Sequence, residues 1–527
     1  MNAQHSFVFR AAAPLLAALA AACAPPPPAA PAPEPVKRVR IVHTNDFHGR
    51  LHPQRPSWAG GREVGGSAVL AAHFDSAAAR FDGPTFFLSA GDDLQGTAIS
   101  NLSWGRATVA AHNATGYHAA AVGNHEFDWG LDTLRARIAE SRFPWLGANV
   151  YVAGTQRQPE WLRPWTMLER DGVRVAVIGA AISSTPTLVM AGRTEGLEFG
   201  PEAPAIDRSA REARAAGADF VVVSVHTGAR CEGPGLAAEP RAESTGCTGE
   251  VLEMAEQLTE PVDLVLGGHT HHRVLTTAAG IPVAEASSYS TAYSVTDLER
   301  RGDSVTATYR AVHPAYADQV SPDTMVARVV AEWDANVRPI SERVVVHFAA
   351  PMERQGPEYA LGNLIADAFR ATAGARVALI NTGSIRRAIP AGPATYGVLY
   401  ELQPFQNELV TLTVTGAQLR AALEHALGRD GRPDAHLSGM TVAYDSTAAQ
   451  GSRVREVRLA DGRALRDTDT VTVATTEFVA TGGDGYTTLK EGRMTRTGRV
   501  DLDALIEYLR AQPQPVRPPR TGRWVAR

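Results

Sequence analysis

A chain of 527 residues exceeds the length over which one hydrophobic core usually keeps growing, so two or more domains are expected. Its composition, 44% apolar and 20% charged with a formal net charge of -5, is that of an ordinary globular protein. Without a broad excess of Lys and Arg, nucleic-acid binding through bulk electrostatics is excluded.

The amino terminus carries the first recognisable element. Residues 1–23 join a weakly basic start, an apolar run and small residues ahead of Cys23, the pattern of a secretory signal too short to span as a mature helix. The segment "ALAAAC" resembles a bacterial lipoprotein signal, in which Cys23 is the lipidation candidate; cleavage at an Ala-x-Ala site is the alternative. The Pro/Ala-rich run over 24–37 reads as an extended tether. Export is therefore predicted, to the periplasm or to an outer-membrane anchor, with membrane contact only through that lipid. No later apolar run reaches spanning length.

Beyond the tether, "VRIVH", "PTFFLSA", "HAAAV", "VRVAVIGAA", "DFVVVSVH" and "VDLVLGG" read as buried strands, and residues 67–80 and 131–140 as crossover helices. Together they predict a layered α/β domain over 38–323. A linker helix follows within 324–342, its helical pattern ending near 336 ahead of Pro339. Residues 343–527 change texture, with short strands and helices at 361–372, 416–427 and 502–510, and predict a separate α+β domain. Cys231 and Cys247 bracket a Gly/Pro/Glu-rich loop. In an oxidising compartment they pair as a disulfide; two free thiols or a metal pair are the alternatives.

Chemistry concentrates at the ends of the first domain's strands. "RIV" runs into His43, Asp46 and His48, "FFLSAG" into Asp92, "AAAVG" into Asn124 and His125, "VVVSV" into His226, and "VLGG" into His269 and His271. In α/β sheets, ligands bind outside the carboxyl ends of strands, so these donors are expected to converge on one crevice. No cysteine takes part, which suits Zn, Mn, Co or Fe(II) rather than a closed thiolate site. Asp46, His48, Asp92, Asn124, His226, His269 and His271 are more donors than one tetrahedral ion needs. Two divalent ions are therefore predicted, with Asp92 of "SAGDD" as the bridging carboxylate.

The set "HTNDFHG", "SAGDDLQG", "GNHEFDWG", "VSVHTG" and "GGHTHH" resembles the calcineurin-like metallophosphoesterases, specifically their secreted 5′-nucleotidase branch. The resemblance implies a four-layer sandwich of two sheets flanked by helices, followed by an α+β nucleotide-recognition domain. It assigns Asp46, His48, Asp92 and His271 to one ion and Asp92, Asn124, His226 and His269 to the other. His125 would face the phosphoryl group with Asp128 orienting its ring, while His43 would be structural and His272 a surface residue.

The second half continues the resemblance through "ALGNLIADAFR", "NTGSIRRAI", "TYGVLYELQPFQNELV" and "FVATGGDGY". Phe405 and Phe478 match a pair that sandwiches a nucleobase, Asp484 matches an acceptor for ribose hydroxyls, and Asn381 and Arg386 match contacts on the phosphate side. Asn407 belongs to the same "QPFQN" motif. Two departures stand out. Thr382 and Ser384 replace glycines in "NTGSIR", and Gln355 occupies the place of a second phosphate-binding arginine, with Arg354 beside it. The implied activity is removal of phosphate from nucleoside 5′-monophosphates by a metal-bound hydroxide. Alternatives on the same site are a nucleotide-sugar or dinucleotide pyrophosphatase, a 2′,3′-cyclic-nucleotide phosphodiesterase with 3′-nucleotidase activity, and a thiosulfohydrolase. A catalytically silent nucleotide-binding surface protein is the alternative of another class.

Overall fold

The computed structural model describes residues 36–428 and 430–527. The secretory segment, Cys23 and nearly all of the tether lie outside the described residues.

Two six-stranded sheets stack face to face in the first domain. One runs, edge to edge, through Ser304–Pro314, Ala292–Arg301, Lys37–Thr44, Thr85–Ser89, Ala119–Ala121 and Trp145–Leu146. The other runs through Arg273–Ala278, Ile281–Ala286, Leu264–Leu266, Phe220–His226, Val173–Ala181 and Trp165–Arg170. Their central strands pair in parallel, as crossover helices require. Thr85–Ser89 and Phe220–His226 are buried at every residue, which accounts for their unbroken apolar runs.

Strand alternation divides the core into layers. Ile41, Phe86 and Leu88 point inward against Val175, Phe220 and Val222 of the opposite sheet. Val42 and Phe87 point outward with Leu70, Phe74 and Val109 of the helices Ser67–Ala79 and Arg106–Thr115. On the far side, Val221 and Val223 pack with Ile206 and Val251 of the helices Glu202–Ala215 and Glu250–Gln257. Each such fully buried side chain contributes about 1.5–3 kcal/mol. The result is a helix–sheet–sheet–helix sandwich.

The linker helix spans Thr324–Ser341, capped by the Asp323 carboxylate, which accepts from the Val326 N–H at 2.8 Å. It continues through Pro339 instead of ending before it. The proline lacks the N–H that would bond the carbonyl four residues back, but only two residues follow it in the helix, and buried Val337 anchors that turn.

In the second domain a five-stranded sheet runs Ala435–Ser438, Val377–Asn381, Thr470–Thr476, Glu408–Thr415 and Arg493–Val500. Ala360–Ala373 and Asp501–Ala511 cover one face; Gly416–His425 and a small three-stranded sheet cover the other. The domains meet where half-buried Glu401 accepts from Arg50 of the first at 3.2 Å and from Arg387 of the second at 2.6 Å. Cys231 and Cys247 form a disulfide across the short ribbon of Arg230–Glu232 and Thr245–Thr248.

Candidate active site

The five strand ends belong to both sheets and meet at one end of the sandwich. They bring together two groups, Asp46 with His48 and His271, and Asp92 with His226 and His269; within each, one donor atom per residue lies within 4.8 Å of the others. In the first, His271 Nε2 stands 3.1 Å from Asp46 Oδ1 and 3.1 Å from His48 Nε2. In the second, His226 Nε2 stands 3.0 Å from Asp92 Oδ2. Asp92 Oδ2 also lies 3.9 Å from His48 Nε2, so this carboxylate stands between the groups.

Several of the atoms turned inward make no hydrogen bond among the described residues: Asp46 Oδ1, Asn124 Oδ1 and His226 Nε2 are each buried without one. Leaving such atoms unpaired costs about 1–3 kcal/mol each, and a cation would satisfy them. The opposite ring nitrogens are fixed: His48 Nδ1 donates to the Gln95 carbonyl and His226 Nδ1 to the Ala90 carbonyl, both at 2.7 Å, which turns each Nε2 toward the site, where a cation would take the place of a proton. These donors fit a pair of divalent cations.

The backbone is bent to present them. Asp46, His48, Asp92, His269 and His271 have φ of 50°, 51°, 56°, 75° and 60°, the left-handed region that L-residues other than Asn, Asp and His rarely enter. Each such residue costs about 1 kcal/mol or more. Gly123 leaves room for the approach, because a Cβ there would lie 2.2 Å from Asp92 Oδ1.

Electrostatics reflect this crowding. Burial disfavours a charge on His226, but the Asp92 carboxylate outweighs it and raises the pKa to about 10. Burial and the neighbouring His226 lower that of His269 to about 4. Burial also opposes a charge on His125, yet Asp128 and Asp92 together raise its pKa.

His125 stands outside both groups. Its Nδ1 donates to Asp128 Oδ2 at 2.8 Å, and its Nε2 is 4.0 Å from Asp92 Oδ2. Over its ring stacks Phe405 of the second domain, with centroids 5.5 Å apart and planes 27° apart. Asn101 of the first domain donates to the carbonyl of Pro404 at 3.1 Å and so ties this loop down.

A cavity of about 420 Å³ continues from the metal groups into the second domain, lined there by Arg354, Asn381, Arg386, Phe405, Asn407, Phe478 and Asp484. Phe478 packs its ring on Gly483, where a Cβ would meet it at 2.5 Å. Asn381 Nδ2 donates to Asp484 Oδ2 at 2.6 Å. Arg386 lies with its guanidinium carbon 5.7 Å from the Phe405 centroid. Asn407 is fixed through its backbone to buried Asp501. The Ser384 hydroxyl donates to the Asn381 carbonyl at 2.9 Å and is thereby occupied.

Neither His43 nor His272 joins the groups: His43 is fully buried with Nδ1 against Ser294 Oγ at 3.0 Å, and His272 is half-buried beside Arg230. Sequence reasoning missed Arg230, Asp434 and the Leu188–Met190 segment in the cavity wall, and the buried Glu126 and Glu285 behind the ligand loops. Glu126 adjoins His125 in "GNHEFDWG", a signal available in the sequence. The others stand in segments without a motif.

The layered fold and its paired Asp/His groups define a metallophosphoesterase. Residues 39–273 match the calcineurin-like phosphoesterase family and residues 341–491 match the 5′-nucleotidase C-terminal domain. The chain belongs to the calcineurin-like phosphoesterases that carry this C-terminal domain, and it is a metal-dependent phosphohydrolase. It is 28% identical over 522 residues to endonuclease YhcR of Bacillus subtilis, covering 93% of this chain but only 41% of that protein. It is 25% identical to a 5′-nucleotidase of Vibrio vulnificus, covering 90% of each chain. The crystal structure of a 5′-nucleotidase precursor from Thermus thermophilus superimposes with a TM-score of 0.80 at 28% identity, over 93% of this chain and 99% of that one.

Proposed function

We propose that this chain is an exported 5′-nucleotidase that hydrolyses nucleoside 5′-monophosphates to nucleoside and phosphate. One observation carries the reading: a single cavity joins both Asp/His groups and His125 to Phe405, Phe478 and Asp484 of the second domain. Asp46, His48 and His271 would hold one divalent ion and His226, His269 and Asn124 the other, with Asp92 between the two groups. When bound, such ions would supply positive charge near the phosphoryl group and lower the pKa of a water.

The chain's own residues do the rest. Phe405 and Phe478 stack the base, Asp484 accepts from the ribose, and Asn381, Arg386 and Arg354 bind on the phosphate side. As water adds to phosphorus and the bond to the 5′ oxygen breaks, His125 donates its proton to the departing oxygen. Asp128 keeps the ring oriented and charged.

Phosphate release from a nucleotide panel by metal-stripped protein, with Mn, Zn, Co or Mg restored singly, tests this reading. Release from 5′-monophosphates with little from 3′-isomers, UDP-glucose or 2′,3′-cyclic nucleotides is the expected result. Failure with every nucleotide and metal, in folded protein, removes it.

Two further results follow from the assignments. Phe478→Ala should raise KM for nucleotides about 5- to 150-fold, the equivalent of about 1–3 kcal/mol of stacking, with little change in kcat. An unchanged KM would place the base elsewhere. His125 acts as a charged donor, so activity is present below its raised pKa and lost as pH rises through it. Removing the nearest raising charge with Asp128→Asn should shift the alkaline limb of the kcat profile to lower pH; an unmoved limb would assign that ionisation to another group.

A further inference from the structure

Two buried carboxylates lie behind the ligand loops, and each binds a pair of them. Glu126, 1% exposed, receives four backbone N–H groups. Its Oε2 accepts from Asp92 at 2.9 Å and Gly123 at 2.7 Å, and its Oε1 from Asp93 at 2.8 Å and Leu94 at 3.1 Å. It thus ties the loop carrying Asp92 to the loop carrying Asn124 and His125. Glu285, fully buried, does the same in the other sheet. Its Oε1 accepts from the Thr270 hydroxyl at 2.7 Å and the His272 N–H at 3.1 Å, and its Oε2 from the Ala229 N–H at 3.3 Å. It joins the loop after His226 to the loop carrying His269 and His271.

We infer that Glu126 and Glu285 are positioning residues that hold the two metal-binding half-sites in register. A carboxylate suits the task because both oxygens accept, whereas an amide of the same shape would turn an NH2 group toward N–H donors. The clamps lie where help is needed: Asp92, His269 and His271 occupy left-handed backbone that the clamped loops must sustain. Neither carboxylate reaches the cavity, so each acts only through the ligands. The inference rests on the proposed two-ion site.

The test uses the full-length protein, Co²⁺ as the probe, and the variants Glu126→Gln and Glu285→Gln. Asp263→Asn serves as a control for lost buried hydrogen bonds. That carboxylate accepts from Arg214 and the Val221 N–H, both at 2.7 Å, away from the ligand loops. Equilibrium dialysis and the visible Co²⁺ spectrum read the site directly. Both Gln variants should bind Co²⁺ about 10–100-fold more weakly, with an altered spectrum and reduced kcat but nearly unchanged KM. The control should keep affinity and spectrum whatever its stability. Should either Gln variant fail to fold, Thr270→Val, which removes one donor to Glu285, should show a smaller effect of the same sign. Wild-type affinity and spectrum in the folded variants would overturn the inference and leave the two-ion reading intact. Wild-type protein that takes up no Co²⁺ would overturn both.

Discussion

His125→Asn should lower kcat on nucleoside monophosphates by about 10²–10⁴-fold while both metals and nucleotide affinity are retained. The ring belongs to neither ligand group, and its position comes from Asp128 at 2.8 Å on one side and the Phe405 stack on the other. Asparagine is too short to deliver a proton where the imidazole does. Because the proposed service is protonation of a departing oxygen, the defect should shrink when the leaving group needs no proton. Comparing AMP with p-nitrophenyl phosphate separates the possibilities. A loss that is equal on both substrates would assign His125 to charge stabilisation on the phosphoryl group; no loss on either would remove it from the mechanism.

Asp92→Asn should be at least as damaging, with bound metal falling from two ions to one or fewer and kcat/KM dropping by at least about 10³-fold, the scale of several kcal/mol of lost charge stabilisation. Asp92 Oδ2 is near His226 Nε2 at 3.0 Å and His48 Nε2 at 3.9 Å, so one carboxylate stands between both groups. Its Oδ1 meanwhile accepts from the His125 N–H at 2.8 Å, which ties the loop of His125 to this carboxylate. Metal analysis with steady-state kinetics checks the result. Two tightly held ions in the Asn variant would move the bridging role to another residue.

Much of this site is legible in the sequence because strand ends and donor side chains carry their own signals. The run "RIVH" announces a buried strand, and the Asp and His residues beyond it are the donors that meet in the first group. The helix at Leu131–Glu140 falls where its sequence pattern places it, and Gly130 ahead of it has φ of 81°. Other features have no such signature. Glu126 and Glu285 act through backbone N–H groups, which every residue except proline possesses, so no spacing of side chains reveals their partners. Arg230 and Leu188–Met190 reach the cavity because two domains meet there, a fact of tertiary packing. The linker helix outlasts Pro339 for the same kind of reason, since burial of Val337 decides the matter locally.

The left-handed backbone at five of the ligand positions also bears on how such a site changes over generations. Glycine at any of them would relieve strain and remove the donor in one step. Strain and donor would go together, although Asp46 and Asp92 would also give up the hydrogen bonds they accept from the His269 and His125 N–H groups. Asp and His at all five positions hold the backbone in left-handed conformations at a thermodynamic disadvantage, one that bound cations would offset.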